Sequence, residues 1–186
     1  MRDSDDSLVQ SAQTGNRSAF EEMVRRTSRL VYARLYLETG DTHQSEDLVQ
    51  ETYLQAFRAL KSLESASQFR AWLCTIADNV LIDSARRDGR QKRAAPPRSP
   101  AETLGQVAGK TPSPPEEAQL AERRQHVLSV VRSLPEDYRL PVMLRYFAGA
   151  DYESMEMQLG LTNGALRGML HRGLKMLKDK LEKTDL

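Results

Sequence analysis

Asp47, Gln50, Glu51 and Leu54 stand three, four and seven residues from the first of them, a spacing that on an α-helix gathers all four on one stripe. A leucine ringed by carboxylates and an amide serves no purpose on a merely solvated face, so the stripe reads as a docking surface for a basic helical partner. The same helix carries Leu48, Val49, Thr52, Tyr53, Ala56, Phe57 and Leu60 on a second, broad face expected to pack inward.

The next helix has the opposite character. Beyond its apolar stripe of Phe69, Leu73, Ile76 and Val80 it offers Asn79, Asp83, Arg86, Arg87 and Arg90 on a neighbouring face, and its C-terminal end is cationic. The helix dipole accounts for some of that charge. It does not account for basic residues continuing past the helix, nor for Trp72, the only tryptophan, beside a polar loop. Charge for a phosphate backbone next to an aromatic ring is how single-stranded or melted nucleic acid is gripped.

The last helix begins at Thr162. Arg167, Arg172, Lys175, Lys178, Lys180 and Lys183 are answered there only by Asp179 and Glu182. Before it, Asp151 to Leu159 reads as a short helix and Gly160-Leu161 as a tight turn, giving a helix-turn-helix. That motif inserts its second helix N-terminus first into the major groove. Thr162, Asn163, Ala165, Leu166 and Arg167 are therefore expected near base edges, and Arg172 and Lys175 at phosphates. Gly168 and Gly173 lie inside this helix at a cost of about 1 kcal/mol each relative to Ala, which implies a close approach to backbone or to a neighbouring helix.

No catalytic arrangement accompanies these surfaces: there is no phosphate-cradling glycine loop, no nucleophile elbow and no acid pair at metal-ligand spacing. Cys74 is the only cysteine and His43, His126 and His171 are scattered, which excludes an internal disulfide and a Cys/His zinc set. The chain is expected to be a binding protein, not an enzyme, with no metal and no cofactor. Without a signal peptide or an apolar run of spanning length, it is expected in the cytoplasm and off the membrane.

The elements that must position these residues are all helical. Helical spacing recurs (Phe20, Met23, Val24, Thr27, Leu30 and Val31 share a face) and no useful β-alternation appears. Four helices are expected at residues 4–14, 17–38, 43–61 and 67–88, with Ser65 and Gln68 resembling a capping box. Six of the eight prolines fall between residues 96 and 115, so an N-terminal helical domain (1–90) and a C-terminal one (116–186) are joined by a flexible linker over 91–115. Within the C-terminal domain a helix is expected from Pro115 to about Ser133, and another restarts at Leu134-Pro135-Glu136. Charge follows this division: residues 1–85 sum to −4, residues 86–115 to +5 and residues 116–186 to zero, so any nucleic-acid footing is local rather than a bulk effect of the +1 net charge of 186 residues.

Three ordered motifs give a resemblance over nearly the whole chain. SEDLVQETYLQAFR (45–58), FRAWL (69–73) followed by Ile76-Ala77 and Asn79, and Leu134-Pro135 with Leu144-Arg145-Tyr146-Phe147 resemble the bacterial extracytoplasmic-function (ECF) sigma factors of the sigma-70 family, two-domain initiation factors for RNA polymerase. The resemblance implies that Asp47, Gln50, Glu51 and Leu54 dock on the clamp helices of the polymerase largest subunit. It implies that the 63–68 loop, with Ser65 and Ser67, and the helix bearing Trp72, Asn79, Asp83, Arg86 and Arg87 capture the melted −10 element. The helix from Thr162, with His171 added to the residues named above, would read the −35 duplex. The flap of the second-largest polymerase subunit, promoter DNA and an anti-sigma factor are the further partners implied. Asp78, Glu156 and Met169 depart from the family pattern, which has a basic, a small and a basic residue there. The rival reading is a stand-alone helix-turn-helix regulator whose acidic stripe meets some other protein.

Overall fold

A computed structural model describes residues 5–94 and 114–184, all helices and short connections. Residues 1–4, 95–113 and 185–186, including the middle of the expected linker, lie outside the described residues.

The N-terminal lobe is built from α1 (Asp5–Gln13), α2 (Arg17–Thr39), α3 (Thr42–Ala59) and α4 (Phe69–Ala94), with short 3₁₀ turns at Leu60–Ser62 and Ala66–Gln68 between the last two. The punctuation follows local chemistry. Asn16 caps α2 by accepting from the Ala19 N–H, and Asp41 caps α3 by accepting from the Gln44 N–H. Gly40 ends α2 in the left-handed region at φ 66°, returning its N–H to the Tyr36 carbonyl. Ser65, by contrast, makes no side-chain cap: its hydroxyl meets that of Ser67 at 2.9 Å, so the expected capping box is not formed. The cationic end of α4 is helical as far as Ala94, and α5 opens on Pro114, so the connection is shorter at both ends than proline and charge content indicate.

Leu8, Val9, Met23, Val31, Leu48, Tyr53, Phe69, Leu73 and Val80 form the first core. Asp5 ties α1 to the others by accepting from Arg26 at 3.1 Å and from the guanidinium of Arg70. Buried Thr27 donates to the Met23 carbonyl at 2.7 Å and meets the Tyr53 hydroxyl at 2.8 Å, satisfying two polar groups in one apolar layer; burial pushes the Tyr53 phenol up from its ordinary pKa. Phe57, expected in this core, is 51% exposed, resting edge-on against Phe20.

The C-terminal lobe comprises α5 (Pro114–Arg132), α6 (Glu136–Val142), a π-helical turn at Met143–Phe147, α7 (Tyr152–Leu159) and α8 (Asn163–Thr184). Pro141 has no N–H to give within α6, and the turn that follows that helix widens to i→i+5 bonding, with the Ala148 N–H on the Met143 carbonyl at 3.0 Å. Leu128, Val131, Leu134, Met143, Leu144, Met155, Leu166 and Leu170 make the second core.

That second core does not stop at the linker. Leu30, Ala33, Tyr36 and Leu37 of α2 are buried within it, so α2 lends one face to each lobe. Polar contacts close the seam. Arg132 donates to the Leu37 carbonyl at 2.6 Å and to the Glu38 carbonyl at 2.8 Å, capping the C-terminus of α2 from another helix. Gln125 donates to the Gly40 carbonyl at 2.9 Å, and Gln158 reaches the Arg26 carbonyl at 2.8 Å.

Candidate polymerase and promoter interfaces

On α3, Asp47, Gln50 and Leu54 are exposed and Glu51 is half-buried, where it accepts from Gln55 at 3.0 Å. Leu54 is 52% exposed among these acids, and Phe57 one turn on extends the apolar strip. The stripe derived from spacing is thus assembled and open. A groove of about 480 Å³ runs beside it, lined by Tyr32, Glu46, Val49 and Gln50 on one side and by Phe147 and Ala148 of the C-terminal lobe on the other.

The α4 face presents Asn79, Asp83, Arg86 and Arg87, all exposed, with Arg86 and Asp83 paired at 3.5 Å. Ser67 is exposed and Ser65 half-buried at the head of this helix. Trp72 is half-buried, packed on the first core and against the Phe69 ring at 6.0 Å, so only a portion of its ring is available for stacking. The side chains of Arg90, Lys92 and Arg93 lie outside the described residues. Asp78 does not stand as a loose acid by this face: Arg34 grips it with two hydrogen bonds of 2.7 Å, and that carboxylate holds the guanidinium above its ordinary pKa.

The helix-turn-helix is formed by α7 and α8. Asp151 caps α7, accepting from the Ser154 N–H at 2.7 Å, and that hydrogen bond keeps its carboxyl below the ordinary carboxylate pKa, with Arg29 and Arg145 adding to the effect. Gly160 makes the turn at φ 66°, and Thr162 caps α8 through the Ala165 N–H at 3.3 Å. Thr162, Ala165, Arg167, His171, Arg172 and Lys175 are exposed and Asn163 half-buried. Leu166 is a correction. It is fully buried in the second core, because on an amphipathic helix it shares the inward face with Leu170, and it is withdrawn from the base-reading set. Of the two interior glycines, Gly173 fits the expectation of close approach: a Cβ there would stand 3.0 Å from Val142 Cγ2 on α6. Gly168 does not, since a Cβ would meet only the far end of the Arg172 side chain at 3.7 Å.

Two features escaped the sequence reading. One is the seam on α2, whose signal was the run Leu35-Tyr36-Leu37 making that helix apolar on more than one side. The other is a cluster in which Arg145 and Arg167 both lie over the ring of Tyr152, at 5.1 and 5.5 Å from its centroid. Among the described residues no group of acidic, histidine or cysteine side chains could hold a metal ion, and no helix is long and apolar enough to cross a membrane.

Known proteins resemble this chain along nearly its whole length. Sigma-70 region 2 matches residues 23–91 and sigma-70 region 4 matches residues 124–177. The chain is 32% identical to the ECF RNA polymerase sigma-E factor of Escherichia coli K12 across 96% of its own length and 94% of that protein. It is also 32% identical to the ECF RNA polymerase sigma factor SigE of Mycolicibacterium smegmatis, of which it spans 65%. In fold it is similar to CnrH in its complex with the cytosolic domain of CnrY, with a TM-score of 0.51, 24% identity and coverage of 97% of this chain and 99% of that one. The chain belongs to the ECF sigma factors of the sigma-70 family, non-enzymatic initiation factors that direct RNA polymerase to promoters.

Proposed function

We propose that this chain divides its promoter work among the three surfaces just described. Asp47, Gln50, Glu51 and Leu54 dock on the clamp helices of core polymerase. Ser65, Ser67, the exposed edge of Trp72, Asn79, Asp83, Arg86 and Arg87 take the melted −10 strand. Thr162, Asn163, Ala165, Arg167, His171, Arg172 and Lys175 read the −35 duplex while the C-terminal lobe meets the polymerase flap. On the promoter the two lobes part at the α2 seam and act as separate units on either side of the connection between α4 and α5, in the cytoplasm where core polymerase is found. The complex of CnrH with the cytosolic domain of CnrY supports a protein partner here too, the expected anti-sigma factor.

The observation that carries the reading is the exposed Leu54 set in an open acidic stripe on α3. Such a factor works by binding energy alone, so removing the docking charge should remove function without touching the fold. Purified chain should co-elute with bacterial core polymerase, and the Asp47→Lys/Glu51→Lys variant should fail to, with its thermal midpoint within a few degrees of wild type. Undiminished co-elution of the reversed chain would defeat the docking assignment.

A further inference from the structure

Tyr152 sits in the first turn of α7, with the guanidinium of Arg145 5.1 Å and that of Arg167 5.5 Å from its ring centroid. The two cations come from different elements, Arg145 from the π-helical turn and Arg167 from the exposed face of α8, one turn into the recognition helix. Arg145 is further fixed by donating Nη1 to the Ala150 carbonyl at 3.0 Å. The adjacent carboxylate of Asp151 accepts from the Ser154 N–H and interacts with Arg145 and Arg29 as well, so it offsets part of the charge of Arg145.

A single cation over an aromatic face is attracted by the ring quadrupole. A second cation on the same ring is repelled by the first, so folding alone gains little from bringing both there. An anion arriving beside the ring satisfies both guanidiniums, and a phosphodiester matches their forked donors. The geometry points to Tyr152 as a positioning residue for DNA: its ring presets Arg145 and Arg167 as a two-arginine clamp on one backbone phosphate flanking the −35 element. This rests on the assignment of α8 to the groove and adds to it a backbone contact from outside the recognition helix. Arg167 then serves the phosphate rather than a base edge.

A phosphate contact is independent of sequence, so a fluorescein-labelled duplex of mixed sequence serves as probe, titrated with the full-length chain by anisotropy over a salt series. Arg145→Gln and Arg167→Gln should each flatten the slope of log K against log salt concentration by up to about 0.9, the value for one phosphate, and together by little more than either alone. Tyr152→Leu, which keeps apolar bulk but no ring, should weaken binding about three- to tenfold, whereas Tyr152→Phe should stay within about twofold of wild type. A structural role alone would leave the salt slope unmoved. Wild-type affinity and slope for Tyr152→Leu, or equal loss in the Leu and Phe variants, would overturn the clamp. Arg172→Ala and Lys175→Ala separate the two levels: if these weaken binding while the Tyr152 and Arg145 variants do not, only the clamp falls. If none of the five sites matters, the groove assignment of α8 falls and the clamp with it.

Discussion

Arg132 donates to the Leu37 carbonyl at 2.6 Å, joining the last turn of α5 to the last turn of α2 across the boundary between the two sigma regions. With Gln158 on the Arg26 carbonyl and Tyr36 against Phe147, it holds the lobes in one body. A compact chain of this length has a radius of gyration of about 16 Å. Promoter elements centred about 25 base pairs apart are separated by about 85 Å at about 3.4 Å per step. With the −10 and −35 assignments proposed above, the closed body cannot touch both elements, and the seam is expected to open on the promoter. Arg132→Ala/Gln158→Ala, which removes the Arg132 and Gln158 hydrogen bonds of the seam while Gln125 keeps its bond to the Gly40 carbonyl, leaves the assigned DNA residues in place and should raise the radius of gyration measured by small-angle X-ray scattering. An unchanged radius, or a wild type already as extended as the variant, would show that these contacts do not hold the lobes together.

The two glycines of α8 should respond in opposite directions. Gly168→Ala removes a helix-interior glycine where the new methyl meets only the end of the Arg172 side chain, and should stabilise by about 0.5–1 kcal/mol. Gly173→Ala gains the same propensity but drives a Cβ toward buried Val142, where overpacking costs about 1–3 kcal/mol. Thermal unfolding should therefore show a higher midpoint for the first and a lower one for the second. A rise for both would mean that α6 gives way at no cost.

Helix positions, the acidic stripe and the helix-turn-helix were legible because each rests on local periodicity and capping that a single helix expresses by itself. Phe57 and Leu166 were misplaced for a common reason: a helical face is a continuous surface, and where it passes from core to solvent depends on the neighbour that covers it. Phe57 lies past the edge of that cover, while Leu166 lies beneath it. The α2 seam was missed on similar grounds, for the apolar run Leu35-Tyr36-Leu37 shows a second covered face but not what covers it. Leu30 fits the first-core stripe by spacing, yet it is buried against residues about a hundred positions later, and no local pattern encodes which of two apolar faces meets a distant helix. The pairing of Arg34 with Asp78, 44 positions apart, is non-local in the same way.

That pairing predicts a charge swap. The side chains are about two-fifths exposed, so solvent screening holds the pair to about 0.5–1 kcal/mol despite its bidentate geometry. Asp78→Arg places a second cation against Arg34 and should lower the thermal midpoint. Arg34→Asp/Asp78→Arg should recover most of the loss. If the swap is no more stable than the single variant, the two side chains are not coupled.

Cys74 gives a chemical reporter of the seam. It is half-buried on α4 at the edge of the second core, and burial pushes its thiol above the ordinary pKa, with Arg34 opposing. The thiolate is the reactive form. At pH 8 the folded chain therefore holds less thiolate than an unfolded one, and modification by a disulfide reagent should be slower than in denaturant and should accelerate with rising pH. The sign for stability follows. A folded-state pKa raised above the unfolded value favours the protonated fold, so this contribution is complete below the ordinary thiol pKa of about 8.5 and is lost as pH climbs through the folded value. The Arg132→Ala/Gln158→Ala chain, with its second core opened, should react faster than wild type at pH 8 by a factor that addition of core polymerase to wild type reproduces. Equal rates in the closed, variant and polymerase-bound chains would place Cys74 beyond the reach of the seam.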